Sequence, residues 1–192
     1  MWRRVYLSLM LVILVCQPIM ACAESVQEYE LKTAYLYNFA LFTLWPQDWP
    51  PEAGNTMSIC TIGQDQFGPT LDQLQGRKVR EKRLIVRRAV SLEEAHTCHV
   101  LYIAVSEQEN MAKIYETLRN SSVLTVTDFN AALPMRSMIS TPSDSAEIMP
   151  TKGIINMTVE NQRLVFEVDT TGARQARLVM SSKLLHLAKR VY

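Results

Sequence analysis

Apolar residues crowd positions 31–45 (LKTAYLYNFALFTLW) too closely for the alternation of a strand. At helical pitch Lys32 and Thr43 share one narrow side, and almost every other direction is apolar. Such a helix has to be covered on most sides, by its own core or by a partner. About fifteen residues are too few to span a bilayer, and Asn38 interrupts the run. Pro46 bars continuation and pushes Trp45 towards an extended conformation. The pattern therefore predicts a buried N-terminal core helix over 31–45. The competing reading makes part of it, Tyr35 and Phe39 with Trp45 and Trp49, an exposed aromatic patch for another protein. Both readings stand at this level.

Downstream, short apolar runs alternate with helix-length segments. Residues 57–62 (MSICTI) form a first strand, and a turn-rich stretch over 63–69 leads into a brief helix over 70–74 that Gly76 ends. Residues 83–90 (RLIVRRAV) form a second strand. Ser91 to Glu94 reads as a capping box for one helical turn. The continuous apolar run 99–105 (HVLYIAV) suits a strand covered on both faces. Ser106 caps a helix over 107–119, and 123–127 is a fourth strand. This alternation predicts an α/β fold: a mixed, mostly parallel sheet with helices on both faces.

The last third differs. Residues 153–159 and 163–169 flank Glu160-Asn161-Gln162 as a β-hairpin, which makes the sheet mixed. A helix starts at Thr170 or Thr171, 178–180 is extended, and Ser181-Ser182 caps a closing helix over 183–191. Between them, 129–151 is rich in Pro, Ser and Met, a surface excursion with at best one short strand over 138–141.

Before the core helix lie Arg3 and Arg4, an apolar run over 5–15, and Ala21-Cys22-Ala23. These are the marks of a cleaved secretory signal, 1–23, removed after Ala23. The run is too short for a stable membrane anchor, so the mature chain is expected without membrane insertion. Ile19 to Cys22 also loosely resembles a lipoprotein box. The mature chain, 24–192, has the size of one domain with its own core. Cleavage removes two arginines and no acids, taking the net charge from +1 to −1. That balance exerts no general pull towards nucleic acid.

Cys60 and Cys98 remain after cleavage, and an even pair in an exported protein reads as a disulfide. One rival is a metal site formed by Cys60, His96, Cys98 and His99, but the spacing matches no standard zinc pattern. The other is a Cys98 nucleophile beside His99, although strand neighbours point to opposite faces. Neither metal nor cofactor is expected, and no Ser/His/Asp or paired-carboxylate pattern points to an enzyme. Gly63, Asp65 and Gly68 lie where the first strand meets a helix, the usual ligand crevice of open α/β sheets, although no phosphate-binding motif is present. Arg77, Lys78, Arg80, Lys82, Arg83, Arg87 and Arg88 form a basic run. It reads as a charged strand edge, with contact to lipid head groups or an acidic partner as the functional alternative. His186 is expected to pack or cap.

The order of motifs is specific. It runs KTAYLYNF, Trp45-Pro46, SICTIG with Phe67-Gly68, CHVLYI, VLTVTD and SSKLLHLA. It resembles the YfiR family of bacterial periplasmic proteins over nearly the whole mature chain. The resemblance implies a periplasmic repressor that binds the periplasmic domain of a YfiN-type membrane diguanylate cyclase. Such a repressor keeps cyclic-di-GMP and biofilm formation low until the redox state of a disulfide or envelope stress releases the enzyme. It places the family's disulfide at Cys60 and Cys98, while a second family disulfide has no counterpart. The family's Gly-Gly turn before the hairpin is replaced by the 135–150 excursion and a single Gly153, and the hairpin ends in Val168-Asp169. The alternative is a periplasmic small-molecule sensor using the 63–69 crevice. A homodimer is compatible with either.

Overall fold

The computed structural model describes residues 20–51, 54–88, 90–129, 135–140 and 146–192. Most of the expected export signal, 1–19, lies outside the described residues, and the expected cleavage point falls in the first turn of the first helix.

Helix α1, Met20–Phe42, packs along one face of the sheet through Leu36, Phe39 and Ala40. Its narrow polar side turns inward, with Lys32 and Thr43 both buried, while Leu31, Ala34 and Asn38 face solvent. An inward lysine is tolerated because carboxylates meet it there, as described below. The helix ends three residues before the expected Trp45. Thr43–Leu44 (β1) is already extended and pairs antiparallel with Val179–Met180 (β11). Arg80 closes the helix end, its guanidinium donating to the carbonyls of Leu41 (2.9 Å) and Thr43 (3.1 Å). A cation on the last carbonyls satisfies orphan acceptors and the helix dipole.

The main sheet is built from Thr56–Ile62 (β2), Lys78–Val79 (β3), Lys82–Arg87 (β4), Val100–Ile103 (β5), Leu124–Thr127 (β6), Ile155–Glu160 (β9), Arg163–Val168 (β10) and Arg190–Val191 (β12). Their order is β12-β10-β9-β6-β5-β2-β4-β3, with β4, β2, β5, β6 and β9 mutually parallel. The mixed, mostly parallel α/β sheet is therefore as expected, and β2, β5 and β6 are buried on both faces. On one face α1 and the 3-10 turn Gly68–Leu74 cover Ile59, Tyr102, Val126 and Phe166. Leu92–Ala95 (α2) and Met111–Leu118 (α3) cover Cys60, Leu101 and Ile103 on the other.

The β6–β9 junction joins the two halves of the sheet by only two residue pairs, and side chains reinforce it. The wholly buried Asn156 amide oxygen accepts from Thr127 Oγ1 (2.7 Å) and Phe129 N (2.9 Å). Thr127 and Thr125 accept in turn from the backbone N–H groups of Gly153 (3.0 Å) and Ile154 (2.9 Å).

Several local expectations need correction. The strand over 83–90 ends at Arg87, because Arg88 turns away to Asp65, Asp72 and the Gly68 carbonyl. The helix over 107–119 begins as a 3-10 turn, Val105–Asn110, and becomes α3 only at Met111. Ser106 does not cap it, for its hydroxyl accepts from Gln64 N (2.9 Å). The 135–150 excursion holds two paired strands rather than one, Arg136–Ser140 (β7) and Ala146–Pro150 (β8), with Pro150 at the last position where no further donor is needed. The closing helix, Ser182–Leu187 (α5), stops early. The free edge of β10 offers carbonyls that Lys189 N (2.8 Å) and Tyr192 N (2.9 Å) take up, so the terminus becomes β12.

The β9–β10 hairpin forms at the expected place, with Asn161 and Gln162 in left-handed conformation as a two-residue turn requires. The helix Thr170–Gln175 (α4) is capped by Asp169, whose carboxylate accepts from Gly172 N (2.9 Å). His186 is exposed in the last turn of α5 and so does not pack.

Candidate functional site

Cys60 on β2 and Cys98 just after α2 are joined in a disulfide, with 6.1 Å between their Cα atoms. Both are fully buried against Leu101 and Ala95. The bond takes up both sulfurs, which removes the thiolate ligands of the metal alternative and the nucleophile of the catalytic one. Among the described residues no three His, Cys, Asp or Glu side chains come together to hold a metal ion.

The disulfide stands behind an open groove of about 760 Å³. Its floor is β2 and β4, through Thr56, Ser58, Ile85 and Arg87; α2 forms one wall, and Trp49, Pro50 and Pro51 form the other. The capping box at Ser91 and Glu94 sets the α2 wall. Ser91 Oγ accepts from Glu94 N (3.2 Å), and the Glu94 carboxylate accepts from Ser91 N (2.9 Å). Arg87 ties floor to wall by donating to Thr97 Oγ1 (2.9 Å) and Glu94 Oε1 (3.2 Å). The bonds from Ser91, and then Arg87, lower the Glu94 pKa, so the wall stays anionic.

Trp45 and Trp49 are half-buried and flank His99. Trp45 lies edge-on to the imidazole, centroids 5.7 Å apart, and donates to the His99 carbonyl (3.2 Å). His99 Nδ1 accepts from Ser58 N (3.1 Å), which leaves the ring proton on Nε2, the side of the Trp49 backbone. Burial, with Lys82 nearby, lowers its pKa to about 4 against the opposing effect of the Trp49 backbone. The imidazole is neutral at ordinary pH.

Tyr35 and Phe39 lie elsewhere, on α1, in a T-shaped cluster with Phe166. Phe39 is fully buried and Tyr35 half-buried, its hydroxyl donating to the Leu164 carbonyl (3.3 Å). The four aromatic residues therefore do not form one patch. Only Trp49 lines the groove.

Gly63, Asp65 and Gly68 do follow β2 at the carboxyl edge, where Gly63 is closely covered while a Cβ at Gly68 would meet nothing within 4 Å. A Cβ at Gly63 would lie 2.6 Å from Ser106 Oγ and 2.8 Å from Glu107 Cγ. Asp65 pairs with Arg88, which also reaches the Gly68 carbonyl. A cavity of about 330 Å³ opens instead beyond β6 and β9, lined by Glu28, Tyr29, Lys32, Asp128 and Val159. There the buried Lys32 ammonium lies 2.6 Å from both Glu28 and Asp128, with the Tyr29 ring centroid 4.4 Å away. Burial opposes this charge, but the carboxylates outweigh it and raise the lysine pKa. Beneath them Tyr102, almost wholly buried, faces Asp128 and Tyr29, and desolvation holds its hydroxyl protonated. The one cation inside a densely apolar helix was the only sequence sign of this cluster. Asp128 carried none.

The basic run is largely spent within the fold. Arg80 caps α1, Arg87 and Arg88 make the bonds above, and Arg77 lies over the Tyr37 ring at 4.5 Å. Lys78 and Arg83 are exposed near the β3 edge, as a charged strand edge predicts.

The chain belongs to the YfiR/HmsC-like family, whose model matches residues 29–189. No curated protein matches the sequence. A crystal structure of a conserved domain protein from Vibrio cholerae O1 biovar El Tor aligns with 85% of this chain and 60% of its own, at 8% identity and a TM-score of 0.45, a likeness too distant to inform function. Among the described residues no helix is long and apolar enough to cross a membrane.

Proposed function

We propose, from membership of the YfiR/HmsC-like family, that this is a periplasmic regulatory protein. In this reading it binds and represses an inner-membrane diguanylate cyclase, lowering cyclic-di-GMP signalling and biofilm formation, with its disulfide as redox gate. The family match over residues 29–189 carries the reading. The disulfide adds a means of gating, because it anchors the α2 wall of the groove to the β2 floor. Breaking it would loosen the wall without dissolving the sheet.

The test is a titration of mature protein against the periplasmic domain of a membrane diguanylate cyclase from the same organism, oxidised and then reduced. Tight binding that weakens on reduction supports a redox-gated repressor. Equal binding in both states reduces the disulfide to a staple. Absence of binding in both removes the reading. A second reading, a small-molecule sensor without a cyclase partner, is favoured by the 330 Å³ cavity at the carboxyl ends of β6 and β9, a habitual ligand position in such sheets. A ligand retained through purification and lost in Asp128→Asn would turn the choice that way.

A further inference from the structure

The groove between Trp49 and α2 has a chemistry that selects what enters it. Its volume, about 760 Å³, is in the range of sites that accept ligand-sized groups. One side is apolar, from Trp49, Pro50 and Ile85. The other bears two carboxylates, Glu93 and Glu94, with the guanidinium of Arg87 and the imidazole of His96, whose Nδ1 is engaged by the Glu93 carbonyl. Arg87 is already spent on Glu94 and Thr97. Glu93 is exposed, and its carboxylate makes no ion pair or hydrogen bond among the described residues. The groove thus carries an unpaired carboxylate, Glu93, on one wall and an aromatic side chain, Trp49, on the other.

We infer that this groove is the docking site for a partner protein segment carrying a lysine or arginine next to an apolar side chain. The cation sits against Glu93, and the apolar side chain sits on Trp49. Charge complementarity picks out this occupant, since an acidic segment would meet the Glu93 and Glu94 carboxylates while the guanidinium of the described lining, Arg87, is already engaged. Tryptophan in a partly desolvated pocket is the residue type that most often dominates such contacts. The disulfide ties the α2 wall that bears Glu93 to the floor of the groove, because Cys98 follows directly after the wall residue Thr97 while Cys60 belongs to β2. The inference rests on the regulator reading and names the surface that reading would use.

The experiment is a binding titration of the same cyclase periplasmic domain with wild type, Trp49→Ala, Glu93→Lys, Glu93→Gln and Lys183→Glu, the last on α5, which packs with α1 on the other face of the sheet. Melting temperatures are checked for each. Glu93 is exposed, so its variant folds whatever happens at Trp49. The expected result is about a tenfold loss for Trp49→Ala and for Glu93→Lys, no change for Lys183→Glu, and a salt dependence that shrinks in Glu93→Gln. Wild-type binding that both groove variants leave intact overturns the groove and keeps the regulator. No wild-type binding overturns both.

Discussion

Lys32 Nζ on α1 lies 2.6 Å from Asp128 Oδ2, just past the end of β6 and 96 positions along the chain. The lysine side chain is 4% exposed and the aspartate 10%. This pair pins the middle of α1 to the carboxyl edge of the sheet. Leaving either charge buried alone is costly, so Lys32→Met should lower stability by roughly 3 kcal/mol. A second change, Asp128→Leu, should recover much of that loss. Urea midpoints of the singles and the double measure it, and additive losses would show that the pair does not act as a unit.

The Cys60–Cys98 bond closes a loop of sequence separation 38. In the chain-entropy model that constraint stabilises the fold by about 4 kcal/mol. For a domain of this size, Cys60→Ala with Cys98→Ala should lower Tm by roughly 10 °C. An unchanged Tm in the oxidised protein compared with the double variant would show that the bond adds nothing. Under the regulator reading the same variant should raise cellular cyclic-di-GMP.

His99 makes stability depend on pH. Its pKa falls from 6.5 to about 4 on folding, so between those values the unfolded chain binds the proton that the folded one refuses. The stabilisation is complete above 6.5, falls as pH drops through the window, and levels off below about 4. The full loss is roughly 3 kcal/mol. His99→Asn keeps an acceptor for Ser58 N and removes the titration. Denaturant midpoints at several pH values should therefore converge for the two proteins in acid. Parallel curves would contradict the assignment.

Gly153 sits where backbone meets backbone. A Cβ there would lie 2.8 Å from the Thr125 carbonyl oxygen and 2.9 Å from its carbon. Neither atom can rotate away, so Gly153→Ala has to push β6 and the 153–154 segment apart. A loss of about 2 kcal/mol is expected, as for other overpacked sites. Thermal melts test this, and a neutral substitution would mean that the junction yields.

Hydrophobic period and turn chemistry determined the parallel α/β core, the 160–162 turn, the Ser91 capping box and the cysteine pairing. Each depends on residues close in sequence, or, for the cysteines, on Cys60 and Cys98 being the pair that lies outside the expected export signal. Where the chain stops helix and starts strand was decided by distant partners. The Phe42 end of α1 answers to β11 and to Arg80, and the fate of 188–192 to the vacant edge of β10. The same holds for the sites. Trp49 was legible as an aromatic at a proline corner, yet its groove exists only because α2 and β4 arrive opposite it. Lys32 was legible only as part of a narrow polar side of an apolar helix; that this side faces inward, and that Asp128 meets it there, follows from the order of the strands. A one-dimensional pattern records which residues prefer burial. The pairing of charges within that burial is set when the layers close.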